Sequence, residues 1–300
     1  MEKLISIIGC NSFLAKRVIA SFKKKGNFRF QLFGSQNLYT DGDFHLFRIP
    51  DAPLKYEGLL NSDVIIYAAG AGVQSSKTYE KNLIYEVNAF EPIRILNFLS
   101  EKSFKGKFIS FGSYFEIGYN TKKDHYSEEE VISAESLVPN DYCISKRILT
   151  RFFASTSLPF CYYHLVLATV YGKGENENRL IPFVIDKLLQ NEEISLTSGE
   201  QIRQYIHIED VNNLIAELIE SEKLKGIYNL AGEEVVTVKQ LVLKISEVVG
   251  VDGKFNFGTL KKQDQSMDVL MLDTQKARNQ LNWNAKINIT EGIKEYLKVD

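Results

Sequence analysis

The chain is poor in the residues that mark several protein classes. It has three cysteines in 300 residues, Cys10, Cys143 and Cys161, scattered and without a CxxC pair; this argues against both a disulfide framework and a zinc site. Four histidines are spread through the chain with no metal-ligand spacing, so no metal is expected. The formal net charge is -2 and the basic run Lys23-Lys24-Lys25 is not extended elsewhere, which leaves no broad positive field for a nucleic-acid backbone. No apolar run approaches the roughly 18 residues of a membrane span, and the run from Leu4 to Ile8 turns polar at Asn11, too short for a signal-peptide core. The expectation is a soluble, unprocessed protein of the reducing cytoplasm, with neither nucleic-acid nor membrane partner. A hydrophobic share of 44% and a charged share of 25% suffice for one large or two intimate domains.

What is present is an alternation of strand and helix patterns. The apolar run at Leu4 to Ile8 lacks a period of two, as in a strand buried on both faces. A helical stripe of Phe13, Leu14, Val18, Ile19 and Phe22 follows and closes on lysines and Gly26. Strands are expected over 30–33, 44–49, 64–69 and 107–111, with one long helix over 81–101. Strand, helix, strand at this spacing implies an α/β fold, a doubly wound parallel sheet. Past residue 168 the pattern is more irregular: helices near 180–190, 210 and 237, short strands near 194–196 and 204–208, and a capping box at Thr237-Val-Lys-Gln240. We read 1–168, completed by about 204–230, as a dinucleotide-binding domain and 169–300 as a smaller mixed α/β lobe threaded into it.

Tyr142 and Lys146 are four residues apart, after the helix-start signal Pro139-Asn140-Asp141 and ahead of an apolar stripe of Ile148, Leu149, Phe152 and Phe153. One helical turn places them on the same face. A phenol titrates near ~10, and a neighbouring ammonium favours its phenolate. With the hydroxyl of Ser113, which lies earlier in the chain, such a pair can move a proton at a carbinol oxygen while hydride moves on the adjacent carbon. Tyr119 and Lys123 share the spacing but fall in a polar stretch that reads as loop.

Between the first strand and helix lies Gly9-Cys10-Asn11-Ser12-Phe13-Leu14-Ala15. The helix amides there can receive a pyrophosphate, although glycine stands at only the first of the three usual positions and an ordinary turn remains open as the alternative. The second strand ends in Phe33-Gly34-Ser35-Gln36, without the acid that binds an NAD ribose. Ser35, with Lys16 or Arg17, would suit a 2′-phosphate, so NADP(H) is expected ahead of NAD(H).

In this order, the small-residue turn, Ser113 and the Tyr142/Lys146 pair resemble the extended short-chain dehydrogenase/reductases of the nucleotide-sugar epimerase and dehydratase group, which have a Rossmann fold. Asp63 to Gly70 is similar to that family's fourth strand, Val87-Asn88-Ala89 to its helix asparagine, and Phe108 to Ser113 to its serine strand. Val170 to Gly174, Arg179 to Pro182, Gly199 to Asp210 and Tyr228 to Gly232 resemble its substrate-lobe signatures. The resemblance implies Tyr142 as acid/base, Lys146 as its partner and ribose ligand, and Ser113 as the group orienting the sugar oxygen. It implies cofactor contacts at Gly9, Asn11, Ser12, Phe13, Leu14, Ser35, Ala68, Ala69, Gly70 and Asn88, and substrate contacts at Ser113, Tyr114, Thr169, Arg179, Leu180 and Arg203.

Thr169 stands where the family commonly has asparagine, and Gln263 where a late arginine is often found, with Lys261 or Lys262 as substitutes. Tyr114 and Phe115 replace the Asp-Glu pair of the dehydratases, so water elimination is not expected. The chain looks most like the 4-ketosugar reductases of the CDP-abequose synthase type. The activity expected is NADPH-dependent reduction of a nucleotide-linked 4-keto-6-deoxyhexose by a homodimer in deoxysugar and polysaccharide biosynthesis. The alternatives are a 4-epimerase holding NAD and a catalytically silent dinucleotide-binding regulator. His207 reads as a hydrogen-bonded structural residue, His125 and Glu128-Glu129-Glu130 as a mobile loop, and Asn88 as either a core amide or a cofactor contact.

Overall fold

The computed structural model describes residues 2–40, 42–72, 80–120, 122, 124–260 and 267–298. Along the chain run β1 (Lys3–Ile8), α1 (Phe13–Lys25), β2 (Phe28–Gly34), β3 (Asp43–Leu46) and β4 (Val64–Tyr67). Next come α2 (Lys81–Tyr85), α3 (Glu91–Glu101), β5 (Lys107–Ser113), α4 (Glu128–Ser133), α5 (Asp141–Ser155) and β6 (Cys161–Leu167). The remainder holds β7 (Thr169–Tyr171), α6 (Leu180–Leu189), β8 (Glu193–Leu196), β9 (Ile202–His207), α7 (Ile208–Glu220) and β10 (Gly226–Leu230). It ends with β11 (Val235–Thr237), α8 (Val238–Val249), β12 (Lys254–Phe257), β13 (Val269–Leu270) and α9 (Ile289–Tyr296). Two compact units result: residues 1–116, 140–166 and 212–228 form one, and 117–139, 167–211 and 229–300 the other.

The first unit is built on a seven-stranded sheet of order β10-β6-β5-β4-β1-β2-β3. The pairings β1 with β2, β2 with β3, β1 with β4 and β4 with β5 are all parallel. Ile5, Ile7, Ile8, Ile65 and Ile66 are completely buried, as the unbroken apolar runs require of strands covered on both faces. The strand order reverses at β1, flanked by β2 and β4, and such switch points are where doubly wound sheets take ligands. This is the Rossmann-type architecture.

The second unit is mixed. Strand β9 pairs antiparallel with β11 and parallel with β7 and β13, while β8 and β12 form a separate parallel pair. Its core gathers Tyr171, Val184, Ile194, Leu241, Ile245 and Ile293. The capping box at Thr237 forms as its spacing predicts, with Gln240 closing on the Thr237 amide.

Two expectations are corrected. The single helix over 81–101 is interrupted by a π-helical turn, Glu86–Phe90, immediately before α3. Pro92 in the first turn of α3 has no N–H to return to the preceding turn, and a π-turn at that point accommodates the missing bond. The acidic stretch 128–130 is helix rather than loop. Ser127 and Glu130 make a reciprocal capping box, and Glu128 is buried with its Oε1 accepting the Asn229 amide at 2.8 Å.

Candidate functional site

Ser113 ends β5, and α5 carries both Tyr142 and Lys146, all in the first unit. The helix starts where Asn140 accepts the Cys143 amide at 3.1 Å, which puts Tyr142 in its first turn. The Lys146 ammonium lies 6.0 Å from the Tyr142 ring centroid and donates to the Phe111 carbonyl at 2.8 Å, two residues before Ser113. Lys146 and Ser113 are almost fully buried and Tyr142 half-buried. Burial pushes the Lys146 ammonium down to about 8, against the opposing charge of Glu116. The sequence-predicted trio is therefore gathered around the C-terminal end of β5.

The β1–α1 turn is held tightly against its neighbours. The amides of Gly9 and Cys10 both donate to the Phe33 carbonyl, at 2.8 and 3.0 Å. Gly9 has φ +85°, and a Cβ there would come within 2.3 Å of the Ala69 amide nitrogen, so only glycine lets this turn meet the end of β4. Ser12 caps α1 by accepting the Ala15 amide at 3.2 Å, which leaves the amides of Phe13 and Leu14 opening the helix. Neutral main-chain donors at a helix start beside a switch point fit a dinucleotide pyrophosphate. The Cys10 thiol is pushed up to about 11 by burial and is no nucleophile.

The remaining assigned positions differ in what their side chains do. Ala68 and Ala69 are half-buried and Gly70 exposed at the end of β4. Asn88, in the π-turn, accepts the Ala71 amide at 2.8 Å and donates to the Ala71 carbonyl at 2.9 Å and Ser145 Oγ at 3.0 Å. Those contacts engage its amide as a core clamp. Tyr114 is completely buried. In the second unit, Thr169 lies on β7, Leu180 opens α6, and Arg179 pairs with the buried Glu175 at 3.1 Å. Arg203 is buried, donating to the carbonyls of Ile202 and Met267, each at 2.8 Å. His207 is completely buried, stacked edge-on against Tyr171. Lys261, Lys262, Gln263 and Lys123 lie outside the described residues.

Sequence reasoning missed a polar cluster behind β5. Glu116, completely buried, accepts the Ser113 amide at 2.7 Å. His164 is held between Ser110 Oγ at 2.9 Å and Thr150 Oγ1 at 2.8 Å, and burial pushes its imidazole down to about 3. Ser145 links Asn88 to the Tyr142 carbonyl, to which it donates at 2.8 Å. The available signal was a lone carboxylate in the otherwise apolar run Tyr114-Phe115-Glu116-Ile117.

A doubly wound sheet with a helix-start turn at its switch point and a Ser, Tyr and Lys set at the end of β5 defines a dinucleotide-dependent oxidoreductase. The chain belongs to the NAD dependent epimerase/dehydratase family, whose model matches residues 5–231. It is 26% identical over 229 residues to the CDP-abequose synthase of Salmonella muenchen, covering 72% of this chain and 70% of that one. Its fold is similar to that of the UDP-glucuronic acid 4-epimerase of Bacillus cereus, solved in complex with UDP-glucuronic acid and NAD. The TM-score is 0.81 at 19% identity, with 98% of each chain covered. The UDP-glucose 4-epimerase of Thermotoga maritima, solved with UDP-glucose, is similar at TM-score 0.79 and 21% identity, again with 98% of each covered.

These findings correct the expectation of NADP(H) and of NADPH-dependent ketosugar reduction. Several of the similar structures were solved with NAD. The tip of β2 offers a physical reason. Ser35 Oγ donates to Asn11 Oδ1 at 3.4 Å, and Asn11 also bonds the main chain of Gln36 through both its amide atoms. A Cβ at Gly34 would come within 2.4 Å of Asn11 Oδ1. At Gly34 the space a side chain would need is taken by Asn11, and the Ser35 hydroxyl is already engaged. Lack of a carboxylate is not evidence of a phosphate site.

Proposed function

We propose that this chain is a nucleotide-sugar 4-epimerase that keeps NAD bound through its cycle. The proton-transfer part of the reading rests on the Lys146 ammonium, anchored to the Phe111 carbonyl at 2.8 Å and 6.0 Å from the Tyr142 ring; the epimerase part is supported by the likeness in fold to 4-epimerases solved with nucleotide sugars. NAD, when bound, supplies hydride acceptor and donor in one molecule. Tyr142 takes the proton of the sugar hydroxyl as the carbon is oxidised and returns it on reduction. Ser113 Oγ donates to the same oxygen and keeps it near Tyr142. Lys146 favours the Tyr142 phenolate through its charge and would hold the nicotinamide ribose when the dinucleotide is bound.

Further assignments belong to the same proposal. Residues 1–168, completed by about 204–230, hold the dinucleotide, and 169–300 recognise the nucleotide sugar through Thr169, Arg179, Leu180 and Arg203. The half-exposed Arg179 suits phosphate better than the buried Arg203. Exposed Phe90 and Ile144, beside α3 and on α5, support a homodimer packed through those helices. Three free cysteines fit a reducing cytoplasm. The deciding experiment incubates purified protein with UDP-, CDP-, dTDP- or ADP-hexoses and follows the sugar protons by NMR beside NADH absorbance. Conversion of a hexose to its C4 epimer with no net NADH is the expected result. Failure with all four nucleotides would remove the proposal.

A further inference from the structure

The loop that carries Arg179 is held from the far end of the chain. On α9, a Cβ at Gly292 would stand 2.6 Å from Tyr171 Cε2, so only glycine lets the helix lie this close to the end of β7. The Tyr171 hydroxyl donates to the carbonyl of Asn288, the N-cap of the same helix, at 3.2 Å. One residue on, Gly172 has φ +151°, and a Cβ there would come within 2.5 Å of Ile208 Cγ2. Its amide donates to the Tyr296 hydroxyl at 2.7 Å. That hydroxyl in turn donates to Glu175 Oε1, and Glu175 Oε2 pairs with Arg179 Nε at 3.1 Å. Lys173 adds a tie to the Lys298 carbonyl at 2.6 Å. A continuous polar path therefore runs from α9 to Arg179, all of it within the second unit. The helix lies beyond the residues that the family model matches.

Burial decides what each group on this path can do. The Glu175 side chain is 2% exposed and that of Arg179 34%, so a ligand from solvent can meet the guanidinium but not the carboxylate. A buried carboxylate needs partners to keep its charge. Burial raises the Glu175 carboxyl, and the charge of Arg179 and the hydroxyl of Tyr296 oppose it. Engaged through Nε, Arg179 keeps both Nη groups without a protein partner among the described residues. Those two groups form the planar fork that grips phosphate oxygens in pairs. An arginine already fixed in place also loses less side-chain freedom on binding than a loose one.

We propose that Tyr296 and Glu175 are positioning residues of the nucleotide-sugar site: together they hold Arg179 with its Nη fork set for the diphosphate before the ligand arrives. The proposal rests on the reading of Arg179 as a diphosphate ligand. Through it, the C-terminal helix governs affinity for the nucleotide. A hydroxyl that served only to dock α9 would contribute stability and leave nucleotide affinity unchanged when removed.

The test uses the full chain with NAD in excess, which keeps the dinucleotide site filled. UDP, CDP and dTDP are titrated calorimetrically into wild type, Tyr296→Phe, Arg179→Gln and the double variant, with thermal unfolding as the check on folding. Glutamine at 179 still offers Glu175 an amide donor but has no Nη fork. We expect Y296F to weaken the tightest of the three nucleotides by roughly tenfold, R179Q by as much or more, and the double variant no further than R179Q. Affinity for NAD, titrated separately, should not change. Wild-type nucleotide affinity in folded Y296F, with loss in R179Q, overturns the proposal alone and leaves the diphosphate role of Arg179 standing. Losses that simply add in the double variant overturn it in the same way. Wild-type affinity in R179Q, or a wild type that binds none of the three, overturns the proposal together with the reading beneath it. If Y296F does not fold, Glu175→Gln takes its place in the same cycle with the same expected loss. If neither folds, wild type decides through the assigned Arg179 Nε–H NMR signal. A signal protected from exchange before nucleotide is added supports the proposal, and one that appears only with nucleotide overturns it.

Discussion

Asn88 gives the sharpest test of how the site is held. Its side chain makes three hydrogen bonds, to the Ala71 amide, the Ala71 carbonyl and Ser145 Oγ, at 2.8, 2.9 and 3.0 Å. Both Asn88 and Ala71 are buried, at 1% and 4% exposure, so water cannot replace the amide. Asn88→Ala strands a main-chain donor and an acceptor together, at about 1–3 kcal/mol each. Partial relaxation toward the exposed Gly70 lowers the total to about 2–4 kcal/mol. For a body of this size, that should reduce Tm by roughly 5–15 °C, measured by differential scanning calorimetry without added dinucleotide. Asn88→Asp keeps the acceptor for the Ala71 amide but sets a carboxylate oxygen against the Ala71 carbonyl. Its folded pKa must rise, so its stability deficit should shrink at acid pH and grow as pH rises through that value. An Asn88→Ala protein with wild-type Tm but weakened dinucleotide affinity would refute this reasoning and make Asn88 a cofactor ligand instead.

Other expectations follow from the same geometry. Tyr142→Phe deletes the proton-carrying hydroxyl and should lower turnover by roughly 10²–10⁴-fold while dinucleotide binding, measured by fluorescence titration, stays nearly unchanged; retention of a tenth of the wild-type rate would reject the assignment. Gly9→Ala meets both a left-handed φ of +85° and the Ala69 amide nitrogen at 2.3 Å, so calorimetry should show a destabilised protein and titration a loss of NAD affinity of about tenfold or more. His164, neutral in the fold with a pKa depressed to about 3, contributes stability that is present above its unfolded value near 6.5 and is lost as pH falls toward 3. Denaturant unfolding across that window should show a shallower acid slope in His164→Asn than in wild type, and equal slopes would remove the assignment.

The amino-acid sequence by itself determined the features that depend on neighbours along the chain. Buried parallel strands are legible because both faces are apolar, as in Leu4 to Ile8, and helix starts because a cap acts within three residues, as at Asn140 and Thr237. The Tyr142 and Lys146 pair is legible for the same reason, since one helical turn places them together. The capping box at Ser127 was equally local, but three consecutive glutamates suggested a solvated loop, and the burial of Glu128 depends on Asn229, 101 residues away. Tertiary structure alone decided that Asn11 fills the space at Gly34 and that Asn88 clamps Ala71 to Ser145. It alone placed the Glu116 carboxyl on the Ser113 amide, with Gly112 making room. Hydrophobic period and helix capping are short-range and recur in sequence. Desolvation, and the pairing of polar groups that compensates it, depend on which distant segments converge, and no local pattern encodes that.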